Sequence, residues 1–259
     1  MSGVRVAAVI PARMASTRFP GKPLLPVAGL PMVEHVRRRA ALCGRFSEVV
    51  VATCDEEIAR AVRGFGGQVV MTAPTHPGAT DRVAEAVRSL SCTHVVNIQG
   101  DEILVLPADL EKMVSAIEKE PEVPAWNAVA PLEKGSDLND RSIVKCALSR
   151  SSRILFCARD LSAIPLKGGN GAAGPVQMIL GILGYRRDFL ERYGQLTRTP
   201  LEIAESVDQS RILEHDIPLR GVPFRRGYIG INEMREVAGV NECLREDPAQ
   251  QKVLQQILV

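Results

Sequence analysis

Directly after the first apolar, β-branched run of this 259-residue chain stands Ile10-Pro11-Ala12-Arg13-Met14-Ala15-Ser16-Thr17-Arg18-Phe19-Pro20-Gly21-Lys22-Pro23. It carries three basic side chains, a Ser-Thr pair, a glycine and three prolines, and no Asp or Glu occurs anywhere from Met1 to Val33. Guanidinium, ammonium, hydroxyl and backbone N–H groups gathered on one loop suit a polyphosphate, whose spread negative charge needs several donors around it. A solvated basic turn is the bland alternative. The place of the loop at the end of a strand and its lack of carboxylates favour the phosphate.

A second candidate is Asn97-Ile98-Gln99-Gly100-Asp101-Glu102. Asp101 and Glu102 follow a tight glycine turn, where hard oxygen ligands suit the Mg²⁺ that accompanies a nucleoside triphosphate. An acidic turn ahead of a helix would look the same by itself, but a basic loop and an acidic turn on one sheet edge support each other. The usual phosphate loop, G-x-x-x-x-G-K-[ST], is absent. Gly169-Asn170-Gly171-Ala172-Ala173-Gly174 matches G-x-G-x-x-G, yet Pro175 and strand-like sequence follow it where a dinucleotide fingerprint opens a helix. We read it as a chance match in a Gly- and Ala-rich surface loop over Lys167–Pro175. The four histidines, His35, His76, His94 and His215, stand far apart, and none sits beside a serine or cysteine in a hydrolase pattern. Without a nucleophile to find, in-line displacement at phosphorus, organised by positioning and charge, is the natural chemistry.

These loops require strands to hold them. The first half alternates β-rich runs with helical patterns: Val4–Ile10 then Met32–Cys43, Glu48–Ala52 then Glu56–Phe65, Gln68–Met71 then Thr80–Leu90, His94–Gln99 then Pro107–Glu118. Four such units predict a parallel sheet covered on both faces, with ligands gathering beyond the carboxyl ends of the strands. Pro107 and Asp109 mark a helix start. After about residue 124 the pattern shifts to β-like segments (Ala125–Ala130, Ile143–Leu148, Ile154–Ala158, Met178–Tyr185), then helical stretches over Arg187–Tyr193 and Leu201–Glu214. No Ser/Pro linker separates the halves, so residues 1–259 read as one α/β body whose mostly parallel sheet carries an inserted second lobe.

Composition bounds the partners. The 32 Lys+Arg against 30 Asp+Glu give a net charge of +2, with 46% hydrophobic and 4% aromatic residues, which argues against a nucleic-acid-coating protein. The net value hides the four basic and no acidic groups of the first 33 residues, a local imbalance suited to one small polyanion. No run of about 18 apolar residues marks a membrane span or a signal peptide, and a cytoplasmic protein is expected. Cys43, Cys54, Cys92, Cys146, Cys157 and Cys243 are scattered without a C-x-x-C pair and read as reduced, mostly buried thiols.

The chain resembles the sugar-acid cytidylyltransferases, and among them the 3-deoxy-manno-octulosonate (Kdo) cytidylyltransferase family. The match runs through Ile10 to Pro23, Val51-Ala52-Thr53, Met71, His76, Thr80 to Glu85 and Val95 to Glu102. It resumes at Val144-Lys145, Phe156 to Arg159, Leu180-Gly181-Ile182, Gly184-Tyr185-Arg186, Pro200-Leu201-Glu202, Glu205, Gln209 and Arg211. The resemblance implies a Rossmann-like nucleotide-diphospho-sugar transferase fold, with residues 1–124 binding CTP and 125–259 holding the sugar acid and a homodimer contact. The reaction it implies is attack of the anomeric hydroxyl of a 2-keto-3-deoxy sugar acid on the α-phosphorus of CTP, releasing pyrophosphate. Ala12, Arg13, Ser16, Arg18 and Lys22 would hold the triphosphate, with Arg18 and Lys22 countering charge on the leaving group. Thr80, Arg82 and Gln99 would line the nucleoside pocket, Asp101 would bind Mg²⁺, and Arg159, Tyr185, Glu202, Glu205, Gln209 and Arg211 would form the acceptor side. Arg159 would pair with the substrate carboxylate.

The departures concern metal and acceptor. Where the family has Val-Asp-Thr-Pro, this chain has Ile231-Asn232-Glu233-Met234, so Asn232 puts a neutral amide where a second aspartate would meet the metal. A histidine and a tyrosine before the Gly-Tyr pair have become Ile179 and Leu183, which removes two hydrogen-bonding groups from a pocket for a polyhydroxy acid. Gly78-Ala79-Thr80 replaces Ser-Gly-Thr, and Ile103 stands where the family has proline. Two alternatives follow: a paralogue that activates a different acid or phosphonate, or a catalytically weakened protein that senses CTP or CMP.

Overall fold

Continuous β-branched runs need both faces covered, and the computed structural model meets that need with helices on the two sides of one sheet. It describes residues 3–15, 19–132, 138, 140–161 and 176–259. In chain order the elements are β1 (Val6–Ala12), the short hairpin strands β2 (Pro26–Val27) and β3 (Leu30–Pro31), α1 (Met32–Ala41), β4 (Glu48–Thr53), α2 (Glu56–Gly64), β5 (Gln68–Met71), α3 (Ala79–Ala86), β6 (His94–Ile98), α4 (Pro107–Lys119) and β7 (Ala125–Pro131). Then come β8 (Lys145–Leu148), β9 (Ile154–Ala158), β10 (Val176–Arg186), α5 (Arg187–Tyr193), α6 (Pro200–Glu205), α7 (Asp208–Glu214), β11 (Leu219–Pro223), α8 (Glu236–Glu246) and α9 (Pro248–Ile257).

The sheet order is β11-β7-β10-β6-β1-β4-β5, and β8 pairs with β10 and β9 beside it. β1 is parallel to β4 and β6, β4 to β5, and β11 to β7, whereas β10 runs antiparallel to both neighbours. Alternate residues of β1 face opposite layers, as the two-residue period of a strand requires. Ala8 and Ile10 pack with Val36 of α1, Ile58 of α2 and Leu110 of α4. Ala7 and Val9 pack with Val83 of α3, Phe189 of α5 and Ile212 of α7.

All four expected strand–helix units are present, and Pro107 opens α4, where its missing N–H costs nothing. The helix expected over Leu201–Glu214 is two helices. Ser206 between them sits at φ 53°, in the left-handed region that a continuing helix cannot contain. Strand β11 and helices α8 and α9 complete the fold, and α9 is capped by Asp247, whose side chain accepts from Ala249 N–H and Gln250 N–H. The six cysteines are free thiols, four of them buried. The loop over 167–175 lies outside the described residues. No helix among the described residues is long and apolar enough to cross a membrane.

Candidate active site

The basic loop leaves the carboxyl end of β1, and its base is tied in two places. Met14 N–H donates to Asp55 Oδ2 at 2.8 Å, and Gly21 N–H donates to Met14 O at 3.1 Å. Gly21 adopts φ +76°, a conformation that glycine takes without the Cβ penalty. The chain then enters a short 3₁₀ turn that sends Lys22 back across the sheet edge, where its Nζ lies 3.1 Å from Asp101 Oδ2. Ala12 is buried and Arg13 is exposed. Ser16 and Arg18 lie outside the described residues.

The acidic turn leaves β6 next door. A Cβ on Gly100 would come within 3.2 Å of Pro11 O, so this turn packs directly on the end of β1. It is clamped to β10 through Gly181: Gln99 N–H donates to Gly181 O at 2.8 Å, and Gly181 N–H donates to Glu102 Oε1 at 2.6 Å. A side chain on Gly181 would strike Glu102 Oε1 at 2.8 Å and Gln99 Cβ at 3.0 Å. Burial, reinforced by the charge of Asp101, pushes the Glu102 carboxyl up to about 8 against the stabilising Gly181 N–H. Glu102 is therefore a neutral acid at pH 7, and its Oε2 is buried without a partner.

Beyond this edge opens a cavity of about 590 Å³. Its lining includes Gln99, Asp101 and Glu102 from the acidic turn, together with Arg159, Gln209 and Asn232. Arg159 Nε donates to Glu205 O at 2.7 Å, Nη1 to Arg141 O at 2.9 Å, and its backbone N–H to Glu205 Oε2 at 3.0 Å. The guanidinium thus has a fixed direction at the cavity margin, and Glu205 acts by holding it. Asn232 and Glu233 direct their backbone N–H groups to Glu236 Oε2, which opens α8. Val144, Met178, Ile179 and Ile229 supply an apolar stretch of the lining. Ile179 reaches the cavity, whereas Leu183 is buried in the core between sheet and helices.

Other candidates belong to a buried network. Thr80 Oγ1 donates to Asp208 Oδ2 at 2.9 Å, and Asp208 itself lines the cavity, its carboxyl raised by burial despite that bond. Tyr185 is 1% exposed and shares a hydrogen bond with Thr80, and Arg82 is buried with its Nη1 on Thr72 Oγ1. Arg211 and Glu202 form a buried two-pronged ion pair, with Arg211 Nε 2.8 Å from Glu202 Oε2 and Nη2 2.5 Å from Oε1. Arg211 also reaches Asp81 Oδ1 at 3.2 Å and stacks over the Tyr193 ring. Burial opposes ionisation of Glu202, but the bonds from Arg211 and Arg198 outweigh it and hold the carboxyl below its ordinary value. Tyr185, Arg82, Glu202 and Arg211 are not among the residues lining this cavity, and Arg211 lines a separate one with Asp81, His76 and Glu85.

The geometry adds residues that the sequence did not single out: Asp140, Asp208, Tyr228 and Glu236 line the same cavity. Each histidine is engaged: His35 Nε2 with Val27 O, His76 with Glu85, His94 Nε2 with Pro121 O and His215 with Thr197 O. Among the described residues no group of three or more His, Cys, Asp or Glu could hold a metal ion. Asp101 and Asn232 nevertheless flank one glycine, since a Cβ on Gly230 would lie 3.1 Å from Asp101 O and 3.8 Å from Asn232 Nδ2. One carboxylate and one amide oxygen fit a divalent cation whose remaining ligands are phosphate oxygens and water, and do not fit a closed protein cage.

The profile of a family described as Cytidylyltransferase matches residues 7–219. A 3-deoxy-manno-octulosonate cytidylyltransferase of Geobacter metallireducens is 37% identical over 251 residues, covering 93% of this chain and 98% of the relative. One of Myxococcus xanthus is 40% identical over 248 residues, covering 95% and 98%. A solved CMP:2-keto-3-deoxy-manno-octonic acid synthetase complexed with CTP superposes with a TM-score of 0.87 at 30% identity, covering 94% of this chain and 99% of that one.

Two outcomes follow from the electrostatics. Glu202→Gln leaves the buried Arg211 undercompensated and lowers unfolding free energy by about 3–5 kcal/mol, read by urea titration; a loss below 1 kcal/mol would show that the pair is dispensable. The folded protein retains on Glu102 a proton that the unfolded carboxyl releases near pH 4.3, so this group makes stability fall as pH rises from about 4.3 to about 8. Glu102→Gln, which keeps an oxygen for Gly181 N–H, flattens that part of the stability profile.

Proposed function

This chain belongs to the cytidylyltransferase family, and we propose that it transfers CMP from CTP to 3-deoxy-manno-octulosonate or a closely related 2-keto sugar acid, releasing pyrophosphate. The observation that carries this reading is the meeting of Lys22 and Asp101 at 3.1 Å on the margin of a cavity whose lining also includes Arg159. Triphosphate charge, a divalent cation and an acidic acceptor each find an oppositely charged group within one site.

In the proposed reaction the anomeric hydroxyl oxygen forms a bond to the α-phosphorus, the bridging bond to the β-phosphate breaks, and the hydroxyl proton is released. The chain supplies no covalent nucleophile; it supplies alignment and charge. Lys22, with Arg18 near it in sequence, would counter the negative charge that grows on the leaving pyrophosphate, and Gln99 stands between the nucleotide loop and β10. Arg159, its direction fixed by backbone carbonyls, is suited to the acceptor carboxylate, because a guanidinium matches a carboxylate in a planar two-pronged pair. Bound Mg²⁺ would neutralise phosphate charge and orient the α-phosphoryl group, held by Asp101 and by Asn232 as the neutral second ligand. In the free protein Lys22 compensates Asp101, which suits a cation arriving with the nucleotide. The reading includes a homodimer formed through the second half of the chain, where Leu155, Phe156, Leu201 and Ile203 are exposed apolar side chains.

Lys22→Ala lowers the rate of pyrophosphate release from CTP plus the sugar acid by about 10²–10³-fold, the effect of removing one preorganised charge-stabilising group, and leaves the circular dichroism spectrum unchanged. Retained turnover would remove the basic loop from the site. Asn232→Asp adds a formal charge to the cation's surroundings and lowers the Mg²⁺ concentration giving half-maximal rate; an unchanged Mg²⁺ dependence would place residue 232 outside the metal's reach.

A further inference from the structure

Strand β10 leaves regular pairing where it borders the cavity. From Ile179 to Leu183 it advances four residues while its partner β7 advances two, from Val129 to Asn127, so two extra residues bulge out. The Asn127 side chain takes up two carbonyls of this stretch and one of its own strand. Its Nδ2 donates to Leu180 O at 2.8 Å, to Ala128 O at 2.9 Å and, more weakly, to Ile182 O at 3.4 Å. Asn127 is 0% exposed. An amide nitrogen surrounded by carbonyl oxygens cannot be exchanged with its own oxygen, because the flipped group would face acceptors with an acceptor.

The orientation of a second amide follows from the first. Asn127 Oδ1 accepts from Gln209 Nε2 at 2.7 Å. Gln209 opens into the cavity from α7, and with its nitrogen committed inward its Oε1 is the atom left to face outward. Among the described residues none donates to that oxygen. We propose that Asn127 is a positioning residue that locks the Gln209 amide, so that the cavity meets a hydrogen-bond-accepting oxygen at this point. A hydroxyl of the acceptor molecule, which brings a proton, is taken there; its carboxylate, which brings none at neutral pH, is repelled and directed to Arg159. The bulge and the buried amide thereby set which end of the acceptor lies where. This inference rests on the sugar-acid reading of the cavity.

The test compares the wild type with Asn127→Ala and Asn127→Asp, measuring KM for the sugar acid, KM for CTP and kcat. Asn127→Ala raises KM for the sugar acid by about tenfold, the effect of one lost hydrogen bond, with KM for CTP unchanged. Asn127→Asp keeps an oxygen for the Gln209 N–H but faces Leu180 O, Ala128 O and Ile182 O with a second acceptor, so it also loses the lock and raises KM for the sugar acid by about tenfold or more, with KM for CTP unchanged. Loss of stability alone would lower the active fraction and leave both KM values in place. In ligand-free protein, ¹⁵N-detected exchange of the Gln209 side-chain amide is slow in the wild type and fast in Asn127→Ala. Equal KM for the sugar acid in wild type and Asn127→Ala, or a rapidly exchanging Gln209 amide in the wild type, overturns the proposal. A wild type that gives no product with any sugar acid overturns the reading of the cavity, and the amide exchange then decides the positioning role by itself. If neither variant folds, the exchange rate of the wild-type Gln209 side-chain amide decides the proposal, slow exchange supporting it and fast exchange overturning it.

Discussion

The site depends on the direction of one strand. In a main strand order β11-β7-β10-β6-β1-β4-β5 whose other pairs are parallel, β10 runs antiparallel between β6 and β7, so its beginning lies at the carboxyl edge where ligand loops emerge. Ile182 pairs with Ile98, the last residue of β6, and the preceding residues of β10 extend beyond that edge to pair with β8. A further parallel strand in this position would have presented its far end to the edge instead. Antiparallel pairing brings Met178, Ile179 and Leu180 to the same rim as Lys22 and Asp101. The contact at Gly181 requires glycine: Gln99 and Glu102 press on it so closely that no Cβ fits without displacing one of them.

Electrostatics within the cavity follow from what each carboxylate already holds. Asp140 accepts from Ser142 N–H and Oγ–H, which lowers its carboxyl, and Glu236 accepts two backbone N–H groups at the start of α8. Glu102 is neutral at pH 7, and Asp208 is pushed toward neutrality by burial. Most of the acid in the lining is thus spent on holding backbone or is protonated. Asp101 is different: it is partly exposed and paired across the rim with the Lys22 ammonium. The opposed charges of loop and turn compensate each other in the free protein, so neither loop repels itself at the edge where both must sit.

Most of this scaffold was legible in the sequence because it rests on local signals. Continuous valine runs announced buried strands, and alternation with amphipathic segments announced the parallel half. The basic loop and the Gln-Gly-Asp-Glu turn announced themselves by composition. What was not legible depends on contacts distant in sequence. The break at Ser206 changes one expected helix into two and directs Asp208 and Gln209 toward the cavity, yet no glycine or proline marks it. Glu202 and Arg211 have the residue types of a polar binding site, and only the three-dimensional packing shows them satisfying each other 2–3% exposed. The amide of Asn127 reaches Gln209 across 82 residues, a pairing that no periodicity signals.

The departures from the family pattern separate by position once the cavity is defined. Leu183 is buried in the core, so the phenol lost there is a packing change. Ile103 is likewise wholly buried, against Met32, Ile231 and Leu244, and Ile231 immediately precedes Asn232. Ile179 is on the lining together with Val144, Met178 and Ile229, none of which carries a side-chain donor. A polyhydroxy acid seated against these four side chains must meet its hydroxyls with water, backbone or the polar part of the lining, and an unpaired hydroxyl discriminates against its bearer more strongly than a missing methylene does. On the proposed reading, acceptor choice therefore turns on how rigidly the polar groups elsewhere in the lining are aimed, Arg159 and Gln209 among them.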